Sequence, residues 1–334
     1  MTTQTAAPLK PAVPPRAARM TLANVTRGKI AAPWLIIVYG VDGVGKSTLA
    51  AGAPSTIFLG PEKGTNHLDV ARFPVPETWQ DVLDAVRTLT VDAGGFKSLA
   101  LDTFDWLEPL IVTHVCKREG VGSREDVGGG YGKWVDAVID ELRVFFAAVE
   151  RLQSAQKMNF IGLAHATVKT FKNPQGDDFD RYIISMNEKL AAVLRQWAEG
   201  VYFANYETFA DKDKKTKRVR GISTGARYLY TQRTAAYDAK DRYSLPEQVL
   251  LDWNELEGLR SAAAVATAAL KAEIERKAKE LGGDVEKLAL DYLAKNASDA
   301  TKLAQLNTKL NAKLAEKAEL AVPAPQQPAA DVVA

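Results

Sequence analysis

The sequence predicts an α/β fold in which a mainly parallel sheet lies between helices, with antiparallel strands added at one side and a helical C-terminal extension. Three observations predict it. Between Pro33 and Trp253, short apolar runs alternate with amphipathic stretches, as in sheets covered by helices on both faces. Beyond residue 200, strand-like runs follow one another with only short turns between them, which favours antiparallel pairing. From Glu255 to Leu320, Ala, Leu, Lys and Glu dominate, which favours helices.

Composition narrows the classes of protein to consider. The 334-residue chain is 46% hydrophobic, and 43 Lys and Arg face 41 Asp and Glu, which leaves a net charge of +2. No field of the whole molecule attracts nucleic acid, so any such binding must be local. The single cysteine, Cys116, excludes an internal disulfide framework and fits a reducing compartment. Without an apolar stretch of membrane-spanning length or a secretory signal, we expect a cytoplasmic protein with no membrane partner.

Composition also divides the chain into four predicted segments. Residues 1–31 contain four prolines among alanines and basic residues, which predicts a flexible arm. Residues 32–253 hold the alternating pattern of the core, and residues 254–320 form the helical extension. The proline-bearing residues 321–334 are predicted to be a disordered tail.

The first strand leads into the most specific motif of the chain. The apolar run Leu35–Tyr39 is followed by Gly40-Val-Asp-Gly-Val-Gly-Lys-Ser-Thr48, and an Ala-rich helix continues from there. Strand, glycine loop and helix in this order are typical of a P-loop. Glycines let backbone N–H groups converge on phosphate oxygens, and the lysine charge reaches the β- and γ-phosphates. The predicted ATP-binding residues are Gly40, Asp42, Gly43, Val44, Gly45, Lys46, Ser47 and Thr48.

The second and third predicted strands each lead to an acidic residue at one edge of the sheet. Ser98–Asp102 ends in Asp102, which we interpret as the Walker B carboxylate that holds Mg²⁺ together with Ser47. A cap for the following helix is the alternative role of Asp102. Thr56–Gly60 precedes Glu62, whose carboxylate is placed to activate a water for attack on the γ-phosphate. An exposed loop acid is the alternative for Glu62.

Helices and a fourth strand complete the predicted core. Apolar residues recur at helical spacing over Thr78–Thr90 and Trp134–Gln153. The fourth strand, Asn159–His165, places His165 at its end, where we expect the ring to hydrogen bond to the γ-phosphate and report its presence. A histidine satisfied within a loop is the alternative. Further strands are predicted at residues 200–209, 218–223 and 227–232.

The order of these signals resembles a known family. The P-loop is followed by Phe58-Leu-Gly-Pro-Glu-Lys-Gly64, the Asp102 strand, Ala164-His165 and Ala239-Lys-Asp-Arg-Tyr-Ser-Leu-Pro246. Residues 32–253 thereby resemble the phage-encoded RecA-like core ATPases of the P-loop AAA/RecA superfamily, which are often grouped with the Sak-type single-strand annealing recombinases.

The resemblance implies a RecA-like core that hydrolyses Mg-ATP within a homo-oligomer, either a ring or a filament. Lys240 and Arg242 would reach the nucleotide bound by the neighbouring subunit, as basic residues do at interfaces of this type. The implied catalytic residues are Lys46, Glu62, Asp102 and His165.

Two segments occupy the positions where RecA-like proteins hold DNA-binding loops, one after the Asp102 helix and one after His165. Both combine cations with aromatic rings, which suits single-stranded DNA, although ordinary surface loops are the alternative. A basic segment between two later strands either follows a nucleic-acid backbone or keeps a hairpin tip soluble. The candidate DNA-binding residues are Arg124, Tyr131, Lys133, Lys169, Phe171, Lys172, Arg181, Lys214, Lys215, Lys217 and Arg218.

We therefore expect a Mg-ATP-dependent ATPase that binds single-stranded DNA and acts in phage DNA recombination or single-strand annealing in the host cytoplasm. Two other classes stay open. A nucleotide-dependent switch or loader would use the C-terminal helices to dock a phage or host replication or recombination protein. A small-molecule kinase would need an arginine-rich lid, for which Arg118 and Arg124 are the available residues.

Overall fold

The computed structural model describes residues 20–25, 32–60, 64–212, 219–296 and 300–320. Ala31–Thr267 form one compact unit, and the described residues from 268 onward belong, with 20–25, to a second. The arm predicted at 1–31 lies largely outside the described residues, and the tail predicted at 321–334 lies wholly outside them. The four-segment division, with its boundary after residue 253, stays a prediction.

The described part of the chain contains nine strands. They are β1 (Leu35–Gly40), β2 (Thr56–Leu59), β3 (Ala71–Arg72), β4 (Ser98–Leu101), β5 (Asn159–Phe171), β6 (Phe179–Ile184), β7 (Gly200–Lys212), β8 (Val219–Tyr230) and β9 (Gln248–Leu250). Their order is β3-β2-β4-β5-β1-β7-β8-β9, and β6 pairs with β5 off this path. The strands from β3 to β7 in that order pair in parallel, whereas β8 and β9 are added in antiparallel. This confirms the predicted mainly parallel sheet with antiparallel strands at one side.

Eight α-helices lie in the same described part. They are α1 (Lys46–Ala51), α2 (Trp79–Val91), α3 (Phe104–Glu119), α4 (Trp134–Gln156), α5 (Glu188–Trp197), α6 (Trp253–Leu281), α7 (Gly283–Lys295) and α8 (Ala300–Leu320). Short 3-10 segments occur at Leu22–Asn24 and Arg124–Gly129.

Strand β1 shows how the sheet is buried on both faces. All six of its residues are buried, and successive side chains point to opposite faces. Ile37 enters a core formed with α2, α3, α4 and α5, whereas Ile36 and Val38 enter a core formed with α1 and the start of α6. A continuous apolar run is what a central strand covered on both faces requires.

The fourth predicted strand is longer than its sequence pattern indicates. We predicted that it ends at His165, but β5 continues to Phe171 because Ala166–Phe171 pair in antiparallel with β6. The loop predicted after His165 is therefore a two-stranded hairpin whose turn occupies residues 172–178. We call this element the β5–β6 hairpin. One strand thus belongs to the parallel sheet over its first half and to a hairpin over its second half.

A second difference concerns the strands after residue 200. The two strands predicted at 218–223 and 227–232 are one strand, β8, because its pairing with β7 continues on both sides of a register shift between Tyr206 and Thr208. Helix α5 and the short strands β3 and β9 have no counterpart in the predicted elements.

The described residues of the second compact unit from 268 onward are mostly helical, as predicted for the C-terminal extension. Its apolar core includes Ile274 of α6, Leu293 of α7 and Leu303 of α8. Lys277 is 6% exposed, and its Nζ donates to Asn307 Oδ1 at 2.8 Å. Among all described residues, every helix is too short or too polar to cross a membrane.

Candidate functional site

The turn between β1 and α1 forms a glycine loop with two left-handed positions. Gly43 has a φ of +71° and Gly45 a φ of +107°. Residues with a Cβ are strained in this region of backbone space, whereas glycine adopts it freely. The loop conformation therefore depends on the glycines that the sequence motif supplies at these positions.

Lys46 turns back onto this glycine loop. Its Nζ donates to the carbonyl oxygens of Gly40 and Val41, each at 3.1 Å, and the residue is 6% exposed. The partners of this ammonium include two neutral carbonyls, and charged phosphate oxygens are stronger acceptors than carbonyls. The site thus holds a buried cation beside a loop that suits phosphate.

Ser47 and Asp102 meet below the glycine loop. The Ser47 hydroxyl donates to Oδ2 of Asp102 at 2.7 Å. Asp102 directly follows β4, which is separated from β1 only by β5 and so ends beside the start of α1. Burial raises the pKa of the Asp102 carboxyl, and the Ser47 bond and the Lys46 charge oppose that rise. A hydroxyl and a carboxylate side by side are hard oxygen ligands, so these two residues fit Mg²⁺.

A further glycine lets β2 approach Asp102. A Cβ on Gly60 would lie 1.8 Å from the Asp102 carbonyl oxygen and 2.6 Å from its carbonyl carbon. These are backbone atoms, so they cannot rotate away as the end of a flexible side chain can, and only glycine fits. Glu62, predicted as the water-activating residue, lies outside the described residues.

His165 is oriented by Asp105 at the edge of the site. Its backbone N–H donates to Asp105 Oδ1 at 3.0 Å, and its ring Nδ1 lies 2.7 Å from Oδ2. Burial alone would raise the pKa of Asp105, but the bonds from His165 outweigh it and hold that pKa below its usual value. An ionised carboxylate only accepts hydrogen bonds, so the ring proton is on Nδ1, which donates to Asp105 Oδ2. The other ring nitrogen, Nε2, lies 3.8 Å from Asp42 Oδ1 in the glycine loop.

Tyr206 and Arg227 hold the glycine loop from β7 and β8, and no sequence pattern indicated either of them. The Tyr206 hydroxyl donates to the Gly43 carbonyl at 3.0 Å, and Arg227 Nη1 donates to the Val44 carbonyl at 3.3 Å. The two residues are direct partners across the antiparallel pair, so their side chains share one face. Only the register of β7 against β8 places them together.

These residues surround an open cleft with a volume of about 690 Å³, which we call the nucleotide cleft. Lys46 and Arg227 supply positive charge, and Asp102 with Ser47 supplies oxygen ligands for a metal ion. The arrangement suits a polyphosphate with its divalent cation. The cleft is lined by Gly43, Gly45, Lys46, Ser47, Thr48, Gly64, His67, Asp102, His165 and Arg227.

Lys240 has a role within its own chain. Its Nζ donates to the carbonyl oxygens of Arg195 at 3.1 Å and Gln196 at 3.0 Å, and also to that of Ala198. These carbonyls end helix α5, where a cation is favourable. Burial, reinforced by the nearby Arg242 charge, lowers the pKa of Lys240. The ammonium predicted to reach a neighbouring subunit is therefore engaged as the cap of a helix.

Arg242 is more accessible than Lys240. Its Nη1 donates to both carboxylate oxygens of Glu199, at 2.9 and 3.0 Å, and its side chain is 57% exposed. An exposed pair of this kind is weak and exchanges partners at little cost.

The predicted DNA-binding residues of the β5–β6 hairpin divide into exposed and buried ones. Lys169 pairs with Glu188 and Lys172 with Asp178 on the exposed surface. Arg181, by contrast, is 6% exposed, and its Nη2 donates to a carboxylate oxygen at 2.7 Å. We predicted Arg181 as a contact on a mobile loop, and the hairpin places it inside the unit instead. Phe171 is half-buried on the same hairpin.

The candidates after α3 lie on the surface. The Arg124 guanidinium lies 4.9 Å from the centre of the Trp134 ring, Tyr131 is fully exposed, and Lys133 Nζ donates to a loop carbonyl at 2.9 Å. The remaining candidates lie outside the described residues, and they are Lys214, Lys215, Lys217 and Arg218.

Comparison with known proteins adds a family. A family model described as an AAA domain matches residues 32–243. No curated protein matches the chain. Among solved structures, the flagellar accessory protein FlaH from Methanocaldococcus jannaschii matches with 14% identity and a TM-score of 0.32, covering 66% of this chain and 85% of that chain. The AAA match spans more than half of the 334 residues and includes the whole nucleotide cleft, so the chain belongs to the AAA domain family and contains a P-loop ATPase domain.

Proposed function

We propose that this ATPase hydrolyses Mg-ATP in the nucleotide cleft, binds single-stranded DNA, and acts in phage DNA recombination or single-strand annealing. The observation that carries the nucleotide part is the Ser47–Asp102 hydrogen bond of 2.7 Å directly below the glycine loop. It places two metal-binding oxygen groups next to a buried lysine, as phosphoryl transfer to water requires. The DNA part rests on the exposed cations of two segments, on the exposed ring of Tyr131 and on the family resemblance of the sequence.

Each residue of the cleft has a proposed task. The backbone N–H groups of the glycine loop and Lys46 bind phosphate oxygens, while Ser47 and Asp102 hold Mg²⁺, which neutralises polyphosphate charge when it is bound. Nε2 of His165 donates to the γ-phosphate from the ring protonated on both nitrogens, because the proton on Nδ1 is already engaged by Asp105. Glu62, two residues after Gly60, accepts a proton from the attacking water.

Arg227 adds a positive group from the same chain. Its Nη1 lies 2.8 Å from the point where a Cβ of Gly45 would stand, so the guanidinium is next to the phosphate-binding turn. The bond to the Val44 carbonyl is long, at 3.3 Å, and a phosphate oxygen is a stronger acceptor. We assign Arg227 to phosphate binding in cis.

Arg242 is the proposed residue that acts between subunits of a ring or filament. Its guanidinium leaves Glu199 for the nucleotide of the neighbouring subunit, which the weak exposed pair permits. Lys240 stays at the end of α5 and positions the Arg242 segment. Hydrolysis and assembly then depend on each other, because the complete site needs two chains.

Single-stranded DNA is proposed to lie along the exposed cations of the β5–β6 hairpin and the 119–133 segment. Lys169 and Lys172 are held only by exposed ion pairs, each of which contributes about 0–1 kcal/mol, so phosphates replace the acids readily. The fully exposed ring of Tyr131 offers a surface on which a base stacks.

Steady-state ATPase rates with and without single-stranded DNA test this proposal. We expect DNA to stimulate the wild type, and Lys46→Ala and Glu62→Gln to remove the stimulated rate. Lys97→Ala, an exposed lysine at the other end of β4, serves as the control and keeps the rate. Binding of a fluorescent oligonucleotide should weaken steadily as salt rises. If the protein neither binds DNA nor is stimulated by it, the proposed role in DNA binding is wrong, whereas the proposed ATP hydrolysis is unaffected.

A specific observation favours a second candidate, a nucleotide-dependent switch or loader. The second compact unit has an apolar groove along α7 and α8, where Leu288 is 70% exposed and Tyr292 is 39% exposed. Exposed apolar groups of this size are typical of surfaces that contact a protein partner. ATP turnover that is unaffected by DNA but changed by a replication or recombination protein would select this candidate.

A further inference from the structure

A second cavity, with a volume of about 820 Å³, lies in the same compact unit as the nucleotide cleft and shares no lining residue with it. The β5–β6 hairpin, helix α5 and the segment after β8 form its walls. Its apolar part includes Phe171, Ile183 and Ala191. We call this cavity the arginine pocket because of the groups that form its other part.

Three arginines converge on one carboxylate in the arginine pocket. Arg181 Nη2 lies 2.7 Å from Asp238 Oδ1, Arg233 Nε lies 3.3 Å from the same oxygen, and Arg195 Nε lies 3.8 Å from Oδ2. The only other charged lining residue, within the described chain, is Glu188, which already pairs with Lys169. Around Asp238, three positive charges therefore face one negative charge.

Arg181 is a buried cation with an unsatisfied hydrogen-bond donor. Its side chain is 7% exposed, and its Nε is buried with no hydrogen-bond partner among the described residues. The guanidinium carbon lies 5.3 Å from the centre of the Phe171 ring, which fixes its plane against one wall. A buried donor without a partner costs free energy unless a ligand compensates for it. Arg181 thus adds to the pocket a buried positive charge with one unsatisfied donor.

The segment that carries Asp238 is held in place before any ligand arrives. The Asp238 carbonyl accepts a hydrogen bond from the Tyr39 hydroxyl at 2.7 Å, which ties the segment to β1. The Tyr182 N–H donates to the Ala236 carbonyl at 2.7 Å, which ties the same segment to the hairpin. A site whose central residue is already held by neighbouring elements loses less freedom on binding.

We propose that the arginine pocket is a second anion site and binds a phosphate group. Guanidinium groups match phosphate oxygens with paired N–H donors, and the excess of arginine over carboxylate supplies the required charge. The bound group is either a phosphate of a nucleic-acid strand or a free phosphate ion, because both present the same oxygen acceptors. Binding at the pocket does not depend on ATP hydrolysis, and only the nucleic-acid source rests on the proposed function.

Calorimetric titration of inorganic phosphate into the full chain, without nucleotide or DNA and at constant ionic strength, tests the pocket. Lys46→Ala provides the background, because it weakens phosphate binding at the glycine loop. We expect this variant to retain one phosphate site, and the added changes Arg195→Gln or Arg233→Gln to weaken that site about tenfold or more. Arg143→Gln is the matched control, since Arg143 is 66% exposed and Arg233 is 64% exposed, each beside an aspartate.

The proposal is wrong if the Lys46→Ala variant binds no phosphate. It is also wrong if neither Arg195→Gln nor Arg233→Gln weakens the phosphate binding of that variant. Thermal melting confirms that each variant is folded, and Arg195 and Arg233 are chosen because they are less buried than Arg181. Competition with oligonucleotides, with and without a 5′-phosphate, then identifies the source. If an oligonucleotide displaces the bound phosphate, the natural ligand of the site is a nucleic-acid strand. If it does not, the natural ligand is free phosphate.

Discussion

The nucleotide cleft and the arginine pocket each hold a buried cation, but they do so with different acceptors. In the cleft, Lys46 donates to the neutral carbonyls of Gly40 and Val41. In the pocket, Arg181 donates to the carboxylate of Asp238. A phosphate that enters the cleft competes with these carbonyls for Lys46, whereas one that enters the pocket competes with a carboxylate for Arg181. A carboxylate is a stronger acceptor than a carbonyl, so displacing Asp238 from Arg181 is harder than displacing the carbonyls from Lys46.

The largest expected effect tests the fixed charge of the pocket. Asp238→Asn leaves Arg181 buried without a counter-charge, so we expect the free energy of unfolding to fall by about 3–5 kcal/mol. Urea unfolding followed by circular dichroism measures this change. Asp140→Asn, in an exposed pair with Arg143, is the control and should change stability by less than about 1 kcal/mol. Equal effects of the two substitutions would contradict the contrast between a buried and an exposed pair.

The second prediction concerns the acid of the cleft. Asp102→Asn removes a carboxylate whose pKa burial raises, so the folded chain no longer holds a costly buried charge. We expect stability to stay equal or rise, while ATP turnover falls by about 100-fold, or about 2.7 kcal/mol of transition-state stabilisation. Urea unfolding and the ATPase assay measure the two effects on one sample. A large loss of stability would show that Asp102 supports the fold as Asp238 does.

Arg227 provides a medium-sized test of the cleft. Arg227→Gln removes a positive charge next to Gly45 and, because its side chain is shorter, also the long hydrogen bond to the Val44 carbonyl. We expect ATP to bind about tenfold more weakly, equal to about 1.4 kcal/mol, with the free energy of unfolding nearly unchanged. Titration of a fluorescent ATP analogue measures the affinity. Unchanged affinity would mean that Arg227 only supports the glycine loop.

The smallest expected effect concerns the outer arginine of the pocket. Arg233 is 64% exposed and lies 3.3 Å from an oxygen that Arg181 already occupies. Arg233→Gln should therefore change the free energy of unfolding by less than about 1 kcal/mol. Thermal melting at low and high salt checks this. A loss as large as that of Asp238→Asn would show that the pocket is a structural ion network, with all three arginines needed for the fold.

Short-range patterns predicted the centre of the molecule well. The apolar run before the glycine loop gave the central strand β1, and the spacing of Gly45, Lys46 and Ser47 located the cleft before any contact was known. The position of Asp102 after the next apolar strand was also readable, because parallel strands bring their carboxyl ends to one edge. These features depend on neighbouring residues and on one rule of sheet topology.

Residues that meet through register were not predictable in this way. Tyr206 and Arg227 lie more than 160 positions from the glycine loop, and only the β7 and β8 pairing brings them to it. Arg181 was predicted to be an exposed loop residue because we ended the fourth strand at His165 and did not interpret residues 166–184 as a hairpin. Its burial follows from β6 and from Asp238, 57 positions away in the chain.

Gly60 sets a limit on how this sequence can vary. A Cβ there would meet the Asp102 carbonyl oxygen at 1.8 Å, so every other residue pushes apart the two strand ends that carry the site. In a library that randomises each position, selection for activity should therefore reject changes at Gly60 as strictly as changes at Lys46. A position that contributes no side chain would then rank among the least tolerant of substitution in the protein. Proteins descended from this sequence should therefore keep glycine there.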